Sequence, residues 1–137
     1  MARNLDDLLT ESDILTIHLP LNATTRQLLN ATALYQAKPG VLIINTARGE
    51  IIDEAALLVG LESGRIGGYA SDVLTTEPPA KDSELVAHPN VLITPHAASL
   101  TARTYNQMCV LTVNNALALL AGEEVQRRYV FNFGGLG

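Results

Sequence analysis

The sequence predicts an α/β domain: a parallel sheet of about four strands in sequential order, with crossover helices and a long C-terminal helix. Two observations lead there. Apolar runs at Asp13–Leu19, Val41–Ile44, Ile66–Val73 and Val91–Thr94 alternate with helical patterns, the order that right-handed parallel crossovers produce. The run Val41-Leu-Ile-Ile44 also shows no polar alternation, which marks a parallel strand buried on both faces.

Each element has a local reason. Asn4 can cap a short first helix, with Asp6 and Asp7 in its first turn where they complement the dipole. The strand Asp13–Leu19 is stopped by Pro20. Leu21–Thr25 is turn and cap material leading to helical turns around Arg26–Leu29 and Ala31–Ala37, which Lys38-Pro-Gly40 ends. Asp53 caps Glu54–Leu61, whose Leu57, Leu58 and Leu61 form an apolar stripe, and Gly64 closes it. The glycines of Ile66–Val73 leave room for something to approach the backbone. Thr75–Pro79 is a loop, and Ser83–Ala87 is one helical turn. Ser99 or Thr101 starts a long helix to about Ala121, with Gly122 as its stop. Tyr105, Met108, Cys109, Val113, Ala116, Leu117 and Leu120 share one of its faces, and Gln126–Gly137 has no defined pattern. If the connecting helices lie mainly on one face of the sheet, the long helix is the large element left to cover the other.

Bulk properties narrow the function. The 137 residues fit one domain with a sizeable core, and charged residues make up only 17%. A net charge of −5 without any lysine or arginine block argues against nucleic acid or an anionic membrane as partner. The single cysteine, Cys109, can form neither an internal disulfide nor a thiolate cluster and reads as a small buried apolar residue. With no signal peptide pattern and no apolar run of membrane-spanning length, a reducing, cytoplasmic location is expected.

Ligands in open α/β sheets sit at the carboxyl ends of the strands. There the sequence delivers His18-Leu-Pro20, Thr46-Ala-Arg48, Asp72 with Glu77 beyond it, and His96. On the predicted topology Arg48, Asp72, Glu77 and His96 converge at one edge. An arginine can hold a carboxylate through two parallel hydrogen bonds, and a histidine titrates in the range needed for general acid–base work. A neighbouring carboxylate favours imidazolium and fixes the ring tautomer, the role expected of Glu77. Taken singly, each has a plainer reading: Arg48 and Glu77 as surface charges, Asp72 as a cap, His96 as a loop residue. His18 reads as a core or near-core residue and His88 as a solvated loop residue. No zinc signature and no nucleophile elbow is present, so no metal is expected.

Together, Ser12-Asp-Ile-Leu-Thr-Ile-His-Leu-Pro-Leu21, Thr25, Asn45-Thr-Ala-Arg-Gly-Glu-Ile-Ile-Asp-Glu54, Gly67-Gly-Tyr-Ala-Ser-Asp-Val73, Glu77-Pro78 and Thr94-Pro-His-Ala-Ala98 resemble the D-isomer-specific 2-hydroxyacid dehydrogenase family. The pieces fall in the family's order and spacing from about Leu5 to Gly122. The resemblance implies a Rossmann-like fold, a catalytic set of Arg48, Glu77 and His96, and NAD or NADP as cofactor. Cofactor contacts would fall on Leu19, Pro20, Thr25, Thr46, Ala47 and Asp72, with Ala98 and Ser99 beside the nicotinamide. The substrate would be a small 2-oxo or 2-hydroxy acid.

Family members also carry a Gly-x-Gly-x-x-Gly turn, an acidic residue for the adenine ribose and a substrate domain. This sequence contains none of these. Residues 1–137 are therefore expected to form the second half of a Rossmann-type NAD-binding domain, with a core over 14–122, truncated relative to the family. The isolated chain is expected to be inactive and to bind cofactor weakly or not at all. The alternatives are a non-catalytic module that pairs with itself or with a complementary chain, and a generic α/β ligand-binding domain. The first-strand edge and the long helix point to a homo-oligomer, a dimer being the simplest.

Overall fold

A computed structural model describes residues 4–125. They belong to two compact units that divide between Ala98 and Ser99.

The first unit is built on four parallel strands in the order β1 (Ile14–Ile17), β2 (Val41–Asn45), β3 (Ile66–Ser71), β4 (Val91–Ile93). The sequential parallel order agrees with the sequence. Helices α1 (Leu5–Glu11), α2 (Ala31–Gln36), α3 (Glu54–Glu62) and α4 (Glu84–Ala87) connect or precede them, and a 3-10 turn spans Gly49–Ile51. Each helix starts where a short polar side chain satisfies a free backbone N–H. Asn4 Oδ1 accepts from Asp7 N at 2.8 Å, Asn30 Oδ1 from Ala33 N at 3.0 Å, and Asp53 Oδ1 from Ala56 N at 3.1 Å. Gly40 (φ 81°) and Gly64 (φ 72°) turn the chain in left-handed conformations after α2 and α3.

The core lies between the sheet and these helices. Leu9, Leu34, Val41, Ile43, Leu57 and Ile66 are each at most 3% exposed. Burying a residue such as Leu57 contributes roughly 2 kcal/mol against the ordering entropy of the chain. β3 comes close to its neighbours because it is glycine-rich. A Cβ on Gly67 would lie 2.4 Å from the Gly40 carbonyl oxygen, so what approaches this strand is the chain's own backbone.

Three expectations need correction here. The run Val41–Ile44 is covered on one face only: Val41 and Ile43 are buried, while Leu42 and Ile44 are exposed. Ile14 and Leu92 are exposed too, so within this unit one sheet face has helices and the other has none. Hydrophobicity alone recorded a need for cover, not its presence. Residues Arg26–Leu29 form turns and no helix. Arg26 N and Leu28 N bond locally, to Asn22 O and Thr25 O, but Gln27 takes a left-handed φ of 50° and the N–H groups of Gln27 and Leu29 go to Glu50 O and Ile51 O, so no helix propagates. His18 lies just past β1, exposed, with Nε2 2.9 Å from Thr16 Oγ1, and is no core residue.

The second unit contains α5 (Ala102–Leu120). Thr101 and Thr104 form a reciprocal cap, Thr104 N donating to Thr101 Oγ1 at 3.1 Å and Thr101 N to Thr104 Oγ1 at 3.0 Å. Gly122 (φ 71°) ends the helix. No residue of α5 is buried, and Cys109 is exposed rather than the small buried residue the sequence suggests. The tail Gln126–Gly137 lies outside the described residues. Among the described residues no helix is long and apolar enough to cross a membrane.

Candidate active site

The carboxyl ends of β2, β3 and β4 lead directly into the segments that carry Arg48, Asp72–Glu77 and His96, at one end of the parallel sheet. Arg48 leaves β2 through a turn organised by Asn45, which is 0% exposed. Asn45 Oδ1 accepts from Ala47 N at 3.0 Å and its Nδ2 donates to the Arg48 carbonyl oxygen at 2.9 Å. Ser71 braces this turn from β3. Its Oγ lies 2.9 Å from Asn45 O and accepts from Tyr69 Oη at 3.0 Å, and burial raises the Tyr69 pKa above its ordinary value. The Arg48 side chain is exposed, donates to Ala47 O at 2.6 Å, and makes no ion pair among the described residues.

Gly49 then passes against the next loop with no room to spare. A Cβ there would lie 2.1 Å from Leu74 C and 2.2 Å from Thr75 N. Leu74 N in turn donates to Glu77 Oε1 at 2.8 Å, and Glu77 Oε2 lies 2.7 Å from His96 Nδ1. The hydrogen bond with His96, then that from Leu74 N, hold the Glu77 carboxyl below its ordinary pKa. With Glu77 ionised, Nδ1 carries the ring proton shared with it, and Nε2 is the nitrogen left to exchange protons.

His96 stands in the left-handed region (φ 53°), an uncommon conformation for a residue with a side chain. Asp72 pins the turn on both sides of it. Its Oδ1 accepts from Thr94 Oγ1 and from Ala97 N at 2.9 Å, and Oδ2 from Ala98 N at 2.7 Å. Burial pushes the Asp72 pKa up, but these three hydrogen bonds outweigh it and the carboxyl ends below its usual value. A cavity of about 390 Å³ opens here, lined by Asp72, Leu74, Glu77, Pro78, Thr94 and His96 among others. Arg48 is not among its lining residues.

The remaining candidates lie at the ends of β1 and β2 and beside His96. Leu19 and Pro20 are exposed in a loop closed by Thr25, whose Oγ1 donates to Pro20 O at 2.7 Å. Thr46 is exposed, Ala47 half-buried and Ala98 exposed, while Ser99 opens the second unit. His88 is half-buried at the end of α4, its Nδ1 accepting from Asn90 N at 3.1 Å, so it is less solvated than the sequence suggests. The sequence reading passed over Asn45, Gly49 and Ser71 as site supports. A polar residue closing an apolar run was the one available signal for Asn45.

Four parallel strands that deliver polar groups at their carboxyl ends are the pattern of open α/β folds, which bind ligands at that edge. Residues 1–98 match the family D-isomer specific 2-hydroxyacid dehydrogenase, NAD binding domain, and the chain belongs to that family. It is 42% identical over 121 residues to a glyoxylate reductase of Aeropyrum pernix, covering 88% of this chain and 36% of that protein. Among solved structures, a D-lactate dehydrogenase from Treponema pallidum superposes with a TM-score of 0.85 at 34% identity, over 89% of this chain and 41% of the other. A D-isomer specific 2-hydroxyacid dehydrogenase from Xanthobacter autotrophicus Py2 in complex with NADPH and MES does so with a TM-score of 0.75 at 42% identity, covering 88% of this chain and 49% of that one. The chain spans 19–41% of the length of the curated relatives it matches.

Proposed function

We propose that this chain supplies the catalytic groups of an NAD(P)-dependent dehydrogenase that interconverts a small D-2-hydroxy acid and its 2-oxo acid. The observation that carries the reading is the His96–Glu77 pair, 2.7 Å apart after β4, with the end of β2 bearing an arginine that makes no ion pair among the described residues. Arg48 binds the substrate carboxylate through its planar fork and orients the adjacent carbonyl. His96 Nε2 gives its proton to the carbonyl oxygen, and Glu77 steadies the imidazolium that must be present beforehand. In the oxidative direction the neutral Nε2 takes the hydroxyl proton.

A nicotinamide, when bound, supplies or accepts the hydride, which no side chain can do. The residues present fit its reactive end. Leu19, Pro20, Thr46, Ala47 and Ala98 are uncharged and would lie along it, and Asp72 Oδ2, with one acceptor position beyond its bond to Ala98 N, would take an amide N–H. Thr25, by closing the Leu19–Pro20 loop, would shape the cofactor's side of that rim. Among the described residues no Gly-x-Gly-x-x-Gly turn offers backbone donors to a pyrophosphate. The chain alone therefore binds NADH more weakly than micromolar and turns over no substrate.

The test places the chain in the setting of a longer relative. Residues 1–122 are grafted in place of the matching segment of the Aeropyrum pernix glyoxylate reductase, and reduction of glyoxylate, hydroxypyruvate and pyruvate is followed. The hybrid should turn over at least one acid, and Arg48→Ala or His96→Ala should each lower kcat/KM by about 100-fold or more. Turnover that survives either substitution refutes the assigned roles.

A further inference from the structure

The Arg48 segment and the Glu77 loop belong to different crossovers, yet one small acid has to bridge the groups they carry. Two contacts join them. Gly49 lies against the backbone of Leu74 and Thr75 so closely that even a methyl group has no space. Glu54, in the first turn of α3 and only half-buried, reaches across to accept a hydrogen bond from Thr75 N at 2.7 Å through Oε1.

Glu54 cannot be explained as a cap of its own helix. Asp53 already holds the Ala56 N–H, and the Glu54 carboxylate is spent on a loop 21 residues away. The bond is charge-assisted, which makes it stronger than a neutral one of the same length. The connection then runs without a gap to the acid–base pair. Thr75 follows Leu74, Leu74 N donates to one oxygen of Glu77, and the other oxygen meets His96. At the opposite end, α3 follows directly on the 3-10 turn Gly49–Ile51 and on Arg48, whose carbonyl Asn45 holds.

We infer that Glu54 is a positioning residue: its hydrogen bond to Thr75 N clasps the Glu77 loop onto the Arg48 segment and so sets the span that a 2-oxo acid must fit. This rests on the reading that Arg48 and the His96–Glu77 pair act on one substrate. Glu54 touches neither substrate nor cofactor. It works through where it holds two other groups.

The test uses the 137-residue chain with oxalate, a dicarboxylate of the size of glyoxylate. Affinity is read by NMR from the Arg48 Nε–H and His96 ring signals, alongside hydrogen exchange of the Thr75 amide. Glu54→Ala should speed Thr75 exchange and weaken oxalate binding about tenfold, since misplacing a binding group by an ångström costs that much or more. Glu54→Gln keeps an acceptor oxygen at Oε1 while removing the charge, and should recover most of the oxalate binding and Thr75 protection that Glu54→Ala loses, the bond geometry being kept though the bond is weaker.

If Gln and Ala weaken binding alike, the carboxylate acts through its charge and the clasp is wrong. If Glu54→Ala binds oxalate as wild type does, the inference fails while the catalytic reading stands. If the wild-type chain gives no oxalate response at Arg48 and His96, there is no span for Glu54 to set and this inference fails, whereas the catalytic reading is decided by the hybrid enzyme. A fall in oxalate affinity without faster Thr75 exchange also overturns the clasp.

Discussion

Gly49→Ala is the smallest change that should damage both the fold and the site. The added carbon would lie 2.1 Å from Leu74 C, 2.2 Å from Thr75 N and 2.5 Å from Leu74 O, whereas ordinary contact begins near 3.4 Å. All three atoms are backbone, so no side chain can swing aside. The two segments must separate by roughly 1 Å or more, a scale of misplacement that can cost about 100-fold in catalysis. Overpacking of this kind costs about 1–3 kcal/mol, which for a chain of this size is a fall in Tm of roughly 3–10 °C. The separation also stretches the Glu54–Thr75 bond and carries Leu74 N, and Glu77 with it, away from Arg48. Calorimetry of the chain reads the first effect, and kcat/KM of the hybrid enzyme the second. Gly68→Ala is the milder comparison: there the new carbon lies 3.2 Å from Leu42 Cδ2, the far end of an exposed side chain, and 3.3 Å from Asn90 O, so shifts of a few tenths of an ångström suffice. A Gly49→Ala chain that melts within about 1 °C of wild type, well inside the overpacking range, would refute the argument.

Four further outcomes follow from the same geometry. Asn45→Leu leaves the Ala47 N–H and the Arg48 carbonyl without their buried partner, and urea denaturation should show a loss of about 1–3 kcal/mol. Asp72 and Glu77 both have folded pKa values below their ordinary ones, so the stability they contribute is complete above the unfolded values and is lost as pH falls through the folded ones. Melting below about pH 4 should therefore steepen, and Asp72→Asn and Glu77→Gln should each flatten that acid limb; unchanged acid limbs would contradict the hydrogen-bond account. Gly67→Ala pushes a methyl to 2.4 Å from Gly40 O and should lower Tm, while Gly64→Ala, with open space but φ 72°, should cost only about 1 kcal/mol. The exposed apolar residues Ile14, Leu42, Ile44 and Leu92 predict self-association of the isolated chain, and a strictly monomeric sedimentation profile at high concentration would argue against it.

The fold was readable wherever a residue acts on its own backbone. Asn4, Asp53 and Ser83 announced helix starts, and Gly40, Gly64 and Gly122 announced stops, because caps and left-handed turns are decided within a few positions. The parallel order followed from alternating strands and helices. What stayed hidden depends on distant partners. Leu42 and Ile44 look like core residues, yet burial needs a second layer that residues 4–98 do not provide. The sequence suggests helical turns at Arg26–Leu29, but Glu50 O and Ile51 O take the N–H groups of Gln27 and Leu29. In the site, Arg48, Glu77 and His96 were visible as residues of the right chemistry after buried strands. The supports Asn45, Gly49 and Glu54 act across 2 to 26 positions of chain, through distances that no spacing rule encodes.

The central claim is that one small acid spans the guanidinium of Arg48 and the imidazole of His96. A crystal structure of the chain with oxalate tests it most directly. One carboxylate should sit on Arg48 through paired hydrogen bonds while an oxygen at the other end lies within hydrogen-bond reach of His96 Nε2. Oxalate held by Arg48 alone, with the His96–Glu77 pair too distant for the same molecule to reach, would contradict it.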